Sequence, residues 1–177
     1  MPIRKHKRYS RPKKLFDIAL IKSEKGLIKK YGLKTRREVW KADFAIGKIR
    51  NIAKTLITAE DKKKEEFIKR QVAKGFAVNS IADVLALSKE DYLKRRLESI
   101  IVAKKLALTH KQARQLIAHK HVKLNGNKIN CPGHLTTLEE EKTIEVDLEF
   151  VQKKVISDEE RKILEKIRHE EKKEATN

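Results

Sequence analysis

Cysteine is almost missing from this chain, Cys131 being the only one. An internal disulfide and a cysteine-cluster zinc site are therefore excluded, and reducing, cytoplasmic conditions fit. Aromatic residues make up only 5%, too few for a platform that stacks single-stranded bases. No apolar run approaches the roughly 20 residues of a membrane span, and no signal peptide is visible. No nucleophile or carboxylate pair falls in a recognised catalytic pattern. His6, His110, His119, His121, His134 and His169 are available. His119 and His121 could suggest a metal, but a third ligand is not evident. The expectation is a non-enzymatic chain with no cofactor, metal, small-molecule substrate or membrane.

Positive charge is abundant. Lys and Arg number 44 against 25 Asp and Glu, for a net +19. Adaptation to heat adds both signs of charge, so it does not explain such an excess. The excess repels itself unless something anionic neutralises it, and nucleic acid is the leading candidate. The charge is also uneven. Residues 1–58 carry +14, residues 59–93 are neutral, residues 94–135 carry +9 and residues 136–177 carry −4. Two basic blocks with an acidic end suggest two nucleic-acid-facing surfaces and a tail that avoids the polyanion.

Residues 1–14 hold Arg4, Lys5, Lys7, Arg8, Arg11, Lys13 and Lys14, with Pro2 and Pro12 opposing a long helix. Such a stretch is either a solvated tail or an arm that orders on RNA. Tyr9 and Phe16 could stack on bases or serve as small packing anchors. Residues 15–57 read as mainly helical. Ile18, Ile21, Leu27 and Ile28 anchor a first segment that breaks near Tyr31-Gly32. Val39, Trp40, Ala42, Ile46, Ile49, Ile52, Ala53 and Leu56 form the stripe of a second, with Lys41, Lys48, Arg50 and Lys54 over the remaining surface. Capping-box patterns at Thr58/Asp61, Ser88/Asp91, Thr109/Gln112 and Ser157/Glu160 predict four helix starts. The helix after Thr58 should end near Gly75, and Ile81, Val84 and Leu85 suggest a short apolar helix or turn. A final helix is expected over Ser157–Ala175.

The informative segment runs from Leu93 to Val146. Leu93, Leu97, Ile100 and Ile101 have the spacing of one helix, with Lys94 and Arg95 off the stripe. Thr109 then opens a second helix whose Ala113, Leu116 and Ile117 face inward. His110, Lys111, Arg114 and Gln115 are left outward, near the positive end of the dipole, where a phosphate is favoured. In Val122–Ile129, Asn125-Gly126 between short alternating runs signals a hairpin. A two-residue turn pairs Leu124 with Asn127, Lys123 with Lys128 and Val122 with Ile129. The facing lysines either splay into water or hold a phosphate between them; unneutralised, they cost roughly 0.2–1 kcal/mol. Thr143–Val146 reads as a returning strand.

Helix, helix, hairpin and strand in this order resemble the small RNA-binding domain named after ribosomal protein four. The resemblance rests on Arg96-Leu97-Glu98, Ala113-Arg114-Gln115-Leu116-Ile117, His121-Val122, Asn125-Gly126, Pro132 and Ile144-Glu145-Val146. Pseudouridine synthases, some tyrosyl-tRNA synthetases and small heat-shock RNA binders share that domain, and a ribosome rescue factor or RNA chaperone could also carry it. Tyr31-Gly32-Leu33-Lys34-Thr35-Arg36-Arg37-Glu38-Val39-Trp40 separates them. It resembles the amino-terminal signature of the archaeal and eukaryotic type of the small-subunit ribosomal protein four family. Ile49-Arg50, Asp83-Val84-Leu85 and Arg95-Arg96-Leu97 follow in that family's order. Lys105 and Lys120 depart from it, standing where the family usually has glycine at helix exits. A lysine with positive φ there costs about 1 kcal/mol and could also contact RNA.

The resemblance implies an α+β fold: a mainly helical amino-terminal domain (31–92), a helix-helix-hairpin RNA-binding domain (93–148), a basic extended arm (1–30) and an acidic helical tail (149–177). It implies a structural constituent of the small ribosomal subunit that binds small-subunit ribosomal RNA, nucleates assembly of the subunit body, bears on translational accuracy and neighbours ribosomal protein five. The foremost expected RNA contacts are Lys111, Arg114, Gln115, His121, Lys123, Asn125 and Lys128. His110, Arg95, Arg96, Lys34, Arg36, Arg37, Lys41, Lys48, Arg50 and the basic residues of the arm complete the set.

Overall fold

A computed structural model describes residues 8–146. Two long helices open the fold, α1 (Ile18–Lys30) and α2 (Arg36–Leu56). Asp17 caps α1 by accepting from the Ala19 amide at 3.0 Å. The chain leaves α1 through Tyr31 and Gly32, whose φ of +59° relieves the helix exit. Helix α3 (Asp61–Ala73) follows, ending before Gly75 at φ +80°. Two single-turn helices come next, α4 (Ile81–Ala86) and α5 (Lys89–Lys94). Each is fixed at its start by a reciprocal capping box, Ser80 with Asp83 and Ser88 with Asp91. Then come α6 (Leu97–Ala103), α7 (His110–Ala118), β1 (Val122–Leu124), β2 (Asn127–Lys128), α8 (Leu138–Lys142) and β3 (Glu145–Val146).

The three strands form one antiparallel sheet in the order β2-β1-β3. Its register is the one expected from the Asn-Gly turn: Lys123 lies opposite Lys128 and Leu124 opposite Asn127. The Ile129 amide donates to the Val122 carbonyl at 3.0 Å. Glu145 and Val146 return along β1 as anticipated.

Apolar residues gather in three clusters. Leu97, Ile101, Leu116, Ile117, Val122 and Leu124 join α6, α7 and the sheet. Ile46, Phe67, Phe76, Val84 and Leu87 lock α3 and α4 onto α2. Tyr31, Leu33, Val39, Ala42 and Leu93 form a third between α1, α2 and α5. Leu93 and Leu97 are fully buried, and each such side chain contributes about 1.5–3 kcal/mol.

Four expectations are corrected. The stripe from Leu93 to Ile101 is two helices, because the chain breaks at Arg95-Arg96. There the Leu97 amide donates to the His134 carbonyl at 2.9 Å and the Thr136 amide to the Arg95 carbonyl at 3.1 Å. A strap of residues 131–136 thus takes the hydrogen bonds that a continuous helix would have made. Thr58 does not cap α3; Glu60 occupies that place without a side-chain bond. Residues 18–30, assigned to the extended arm, are the helix α1, so the extended part among the described residues ends at Asp17. Ile18 is 68% exposed and anchors nothing. The Ser157 cap, the tail helix and Arg4, Lys5 and Lys7 of the arm lie outside the described residues.

Candidate nucleic-acid interface

The start of α7 is built by Thr109, whose hydroxyl accepts from the Gln112 amide at 3.2 Å, while Gln112 Oε1 accepts from the Leu108 amide at 2.9 Å. This presents Lys111 and Gln115 on the exposed side of α7. His110 turns partly inward instead. Its ring packs on Tyr31 with centroids 5.8 Å apart, and burial, with the Arg96 charge, pulls its pKa below the ordinary histidine value. A neutral imidazole there is a packing element rather than a cation.

The sheet supplies the second part. His119, Lys120, His121, Lys123, Lys128 and Glu145 line an open concavity of about 610 Å³. Lys123 on the central strand faces Lys128 on one side and Glu145 on the other. The sequence reading found the lysine pair and missed Glu145, because β3 pairs with β1 only through the tertiary fold. Glu145 thus sets a carboxylate in register with Lys123, beside the lysine pair. His119, weighed from the sequence only as a metal ligand, also lines the concavity, its ring 6.5 Å from that of His121. Among the described residues no group of three or more potential metal ligands occurs. Asn125 accepts a hydrogen bond from the Thr143 hydroxyl, which ties the turn to the C-cap of α8.

Lys105 and Lys120 have φ of +59° and +63°. The helix exits that usually carry glycine keep their left-handed geometry here with lysine. Lys105 ends α6 and is exposed; Lys120 ends α7 and opens into the concavity.

The arginines behave differently from the lysines. Arg114 donates from Nη2 to Glu38 Oε1 at 2.7 Å and from Nη1 to Glu38 Oε2 at 3.1 Å. Arg96 donates to Glu38 Oε2 at 2.7 Å, and its Nη1 stands 3.0 Å from Glu98 Oε1. That last pair lacks hydrogen-bond alignment, so it acts through charge alone. Glu98 is fully buried. Burial pushes its pKa up to about 7, against the pull of Arg96 and Arg114. Burial also raises Glu38, but hydrogen bonds from Arg114 and Arg96 outweigh it and hold that carboxyl below its ordinary value.

Arg95 donates to the carbonyls of Lys74 and Thr136, both at 3.1 Å, and pairs with Glu141 at 2.9 Å. Gly75 makes room for it, since a Cβ there would meet the Arg95 guanidinium at 2.3 Å. Arg36 bonds buried Glu24, which also accepts from the Trp40 indole at 2.7 Å. Arg50 bonds the Leu87 carbonyl. Five expected RNA contacts are thus committed inside the protein: Arg36, Arg50, Arg95, Arg96 and Arg114. The outward placement expected of Arg114 is corrected accordingly. Sequence periodicity marks the face of a helix, and here that face meets α2.

Arg8, Arg11, Lys13, Lys14, Lys34, Arg37, Lys41, Lys48, Lys111, Lys123 and Lys128 are exposed. Tyr9 stacks on Trp40 with ring centroids 6.3 Å apart, and the Arg37 guanidinium lies 5.5 Å from the Tyr9 ring centroid. It is a packing anchor for the arm, while Phe16 is 88% exposed. Arg37 and Lys41 line the same cleft as Arg96 and Arg114, so cations of α2 stand beside those of the α6–α7 unit.

The model of the S4 domain matches residues 95–141. Small ribosomal subunit protein uS4 of Korarchaeum cryptofilum is 40% identical over 149 residues, covering 81% of this chain and 90% of the relative. The protein of the same description from Thermoplasma volcanium is 36% identical over 148 residues, covering 78% and 74%. That from Methanosphaera stadtmanae is 36% identical over 150 residues, covering 81% and 82%.

Proposed function

The chain belongs to the archaeal type of the small ribosomal subunit protein uS4 family, and from that premise we propose how it works as a structural, non-catalytic constituent of that subunit in the cytoplasm. It binds small-subunit ribosomal RNA early, helps to nucleate the body of the subunit, lies beside ribosomal protein five and bears on translational accuracy. The observation that carries the RNA-binding reading is the split between cations. The arginines of the core hold the fold, whereas Lys111 stays exposed on α7 and exposed Lys120, Lys123 and Lys128 surround one concavity.

Lys111, Lys123 and Lys128 are the principal phosphate contacts, with Lys120 and His121 at the rim. Gln115 and Asn125 stand where 2′-hydroxyls of a structured RNA can be met. Residues 93–148 supply this surface. Lys34, Arg37, Lys41 and Lys48 of residues 31–92, together with the arm, supply a second. Two basic surfaces on one chain suit a junction where several RNA helices converge, with affinity falling steeply with salt.

The test is cofractionation of the full chain and a Lys111→Gln/Lys123→Gln/Lys128→Gln variant with small subunits. The wild type should stay on the subunit through a high-salt wash and the variant should be lost. Release of the wild type by that wash would favour a loosely bound factor instead.

A further inference from the structure

The Glu38–Arg96–Arg114–Glu98 cluster joins the two basic surfaces. Glu38 stands on α2, Arg96 at the start of α6, Glu98 on α6 and Arg114 on α7. Glu38 is the one member from the amino-terminal helices, and both of its oxygens are taken by guanidinium groups from the other unit. Arg114 also donates to the Gly32 carbonyl at 3.5 Å. Beside the cluster, a Cβ at Gly32 would meet His110 Cβ at 2.7 Å, so the backbone after α1 runs directly against the start of α7. The cleft over the cluster has Arg37 and Lys41 at one side.

We propose that Glu38 is a positioning residue for RNA binding: by clamping Arg96 and Arg114 it fixes the α2 cations Arg37 and Lys41 relative to the Lys111 face. Arg114 and Arg96 then act through Glu38 rather than on phosphate. This rests on the RNA-binding reading above. A fixed spacing lets one rigid RNA junction meet both surfaces at once, whereas loosely joined surfaces lose effective concentration. Bidentate arginine–carboxylate geometry suits such a clamp because it sets direction as well as distance.

The sign of one substitution separates clamp from contact. Glu38→Gln removes a negative charge from an RNA-binding face. By charge alone it should leave binding to a small-subunit rRNA transcript equal or tighter, and by releasing Arg114 it should add a phosphate contact. A clamp predicts weaker binding, by about ten-fold, at a temperature where circular dichroism shows the variant fully folded. A merely stabilising role would lower the melting temperature and leave that affinity unchanged. A second readout is the distance between spin labels on Cys131 and an Ile52→Cys variant, both exposed sites; its distribution should broaden in Glu38→Gln. Should Glu38→Gln not fold, Glu38→Asp keeps the charge but draws the carboxylate back by one methylene, and weaker binding is again expected. Binding by the folded variant equal to or tighter than wild type overturns the proposal. Absence of salt-dependent binding by the wild type overturns the RNA reading itself, which is a distinct outcome.

Discussion

Arg114 reaches Glu38 across 76 positions of chain, Nη2 donating to Oε1 at 2.7 Å. The contact turns the exposed-looking face of α7 into an interface between the amino-terminal helices and the RNA-binding unit. It also leaves Glu98 buried under two guanidinium groups and a second carboxylate, an arrangement whose charge depends on pH.

Glu98 should make stability pH-dependent near neutrality. Its folded pKa of about 7 lies above the ordinary carboxyl value of 4.5, so the folded state holds the proton more tightly than the unfolded chain. The resulting stabilisation is fully present below about pH 4.5 and is lost as pH rises through about 7, by at most about 3 kcal/mol. His110 opposes it: its pKa is lowered from 6.5, so its contribution is present above that value and lost as pH falls. Urea unfolding of wild type and Glu98→Gln between pH 5 and pH 8 separates the two. The stability of wild type relative to the variant should decline with rising pH; a constant difference would contradict the assignment.

Gly32 and Gly126 both have positive φ, +59° and +78°, yet they should respond differently to alanine. At Gly126 an added Cβ meets nothing within 4 Å, so only backbone strain of about 1–2 kcal/mol is expected. At Gly32 it also collides with His110 Cβ, which adds a further 1–3 kcal/mol or so. Chemical denaturation of the two variants should rank Gly32→Ala well below Gly126→Ala. Equal losses would show that α7 yields at that contact.

Local pattern made much of this fold legible. Asn125-Gly126 predicts the hairpin with its observed register, and Tyr31-Gly32 and Gly75 mark the helix exits. Ser88 with Asp91 announces α5, and the Ser80–Asp83 and Thr137–Glu140 boxes carry the same signal for α4 and α8. What stayed hidden depends on partners distant in sequence. The break at Arg95-Arg96 is imposed by His134 and Thr136, and nothing near Leu93 or Leu97 announces it. Glu38 sits in the first turn of α2 as one acidic residue among many; that it accepts from Arg96 and Arg114 is a property of the packed fold. Periodicity also treats every outward cation alike, whereas the structure divides short, planar pairings of arginine from exposed lysine.

Lys105 and Lys120 offer a controlled comparison. Both sit at left-handed helix exits, so Lys105→Gly and Lys120→Gly should each stabilise the protein by about 1 kcal/mol. Only Lys120 opens into the sheet concavity. Equilibrium denaturation should therefore improve in both variants, while affinity for a small-subunit rRNA transcript should fall in Lys120→Gly alone. Unchanged affinity in Lys120→Gly would remove Lys120 from the interface, and a fall in both would show that the concavity does not separate the two lysines.

Phosphate contacts leave a signature in salt titrations. Lys111→Gln, Lys123→Gln and Lys128→Gln should each reduce the slope of log affinity against log salt by about 0.7–0.9, with little change in melting temperature because all three are exposed. Arg96→Gln should do the reverse, lowering the melting temperature first, since it strands buried Glu98. Unchanged slopes for the three lysines would place the RNA elsewhere.

The most direct measurement is the structure of the assembled small subunit with this chain in place. Lys111, Lys123 and Lys128 should lie against RNA phosphates while Arg114 remains on Glu38. Those lysines facing solvent or protein, with Arg114 turned onto a phosphate, would contradict both the interface and the clamp.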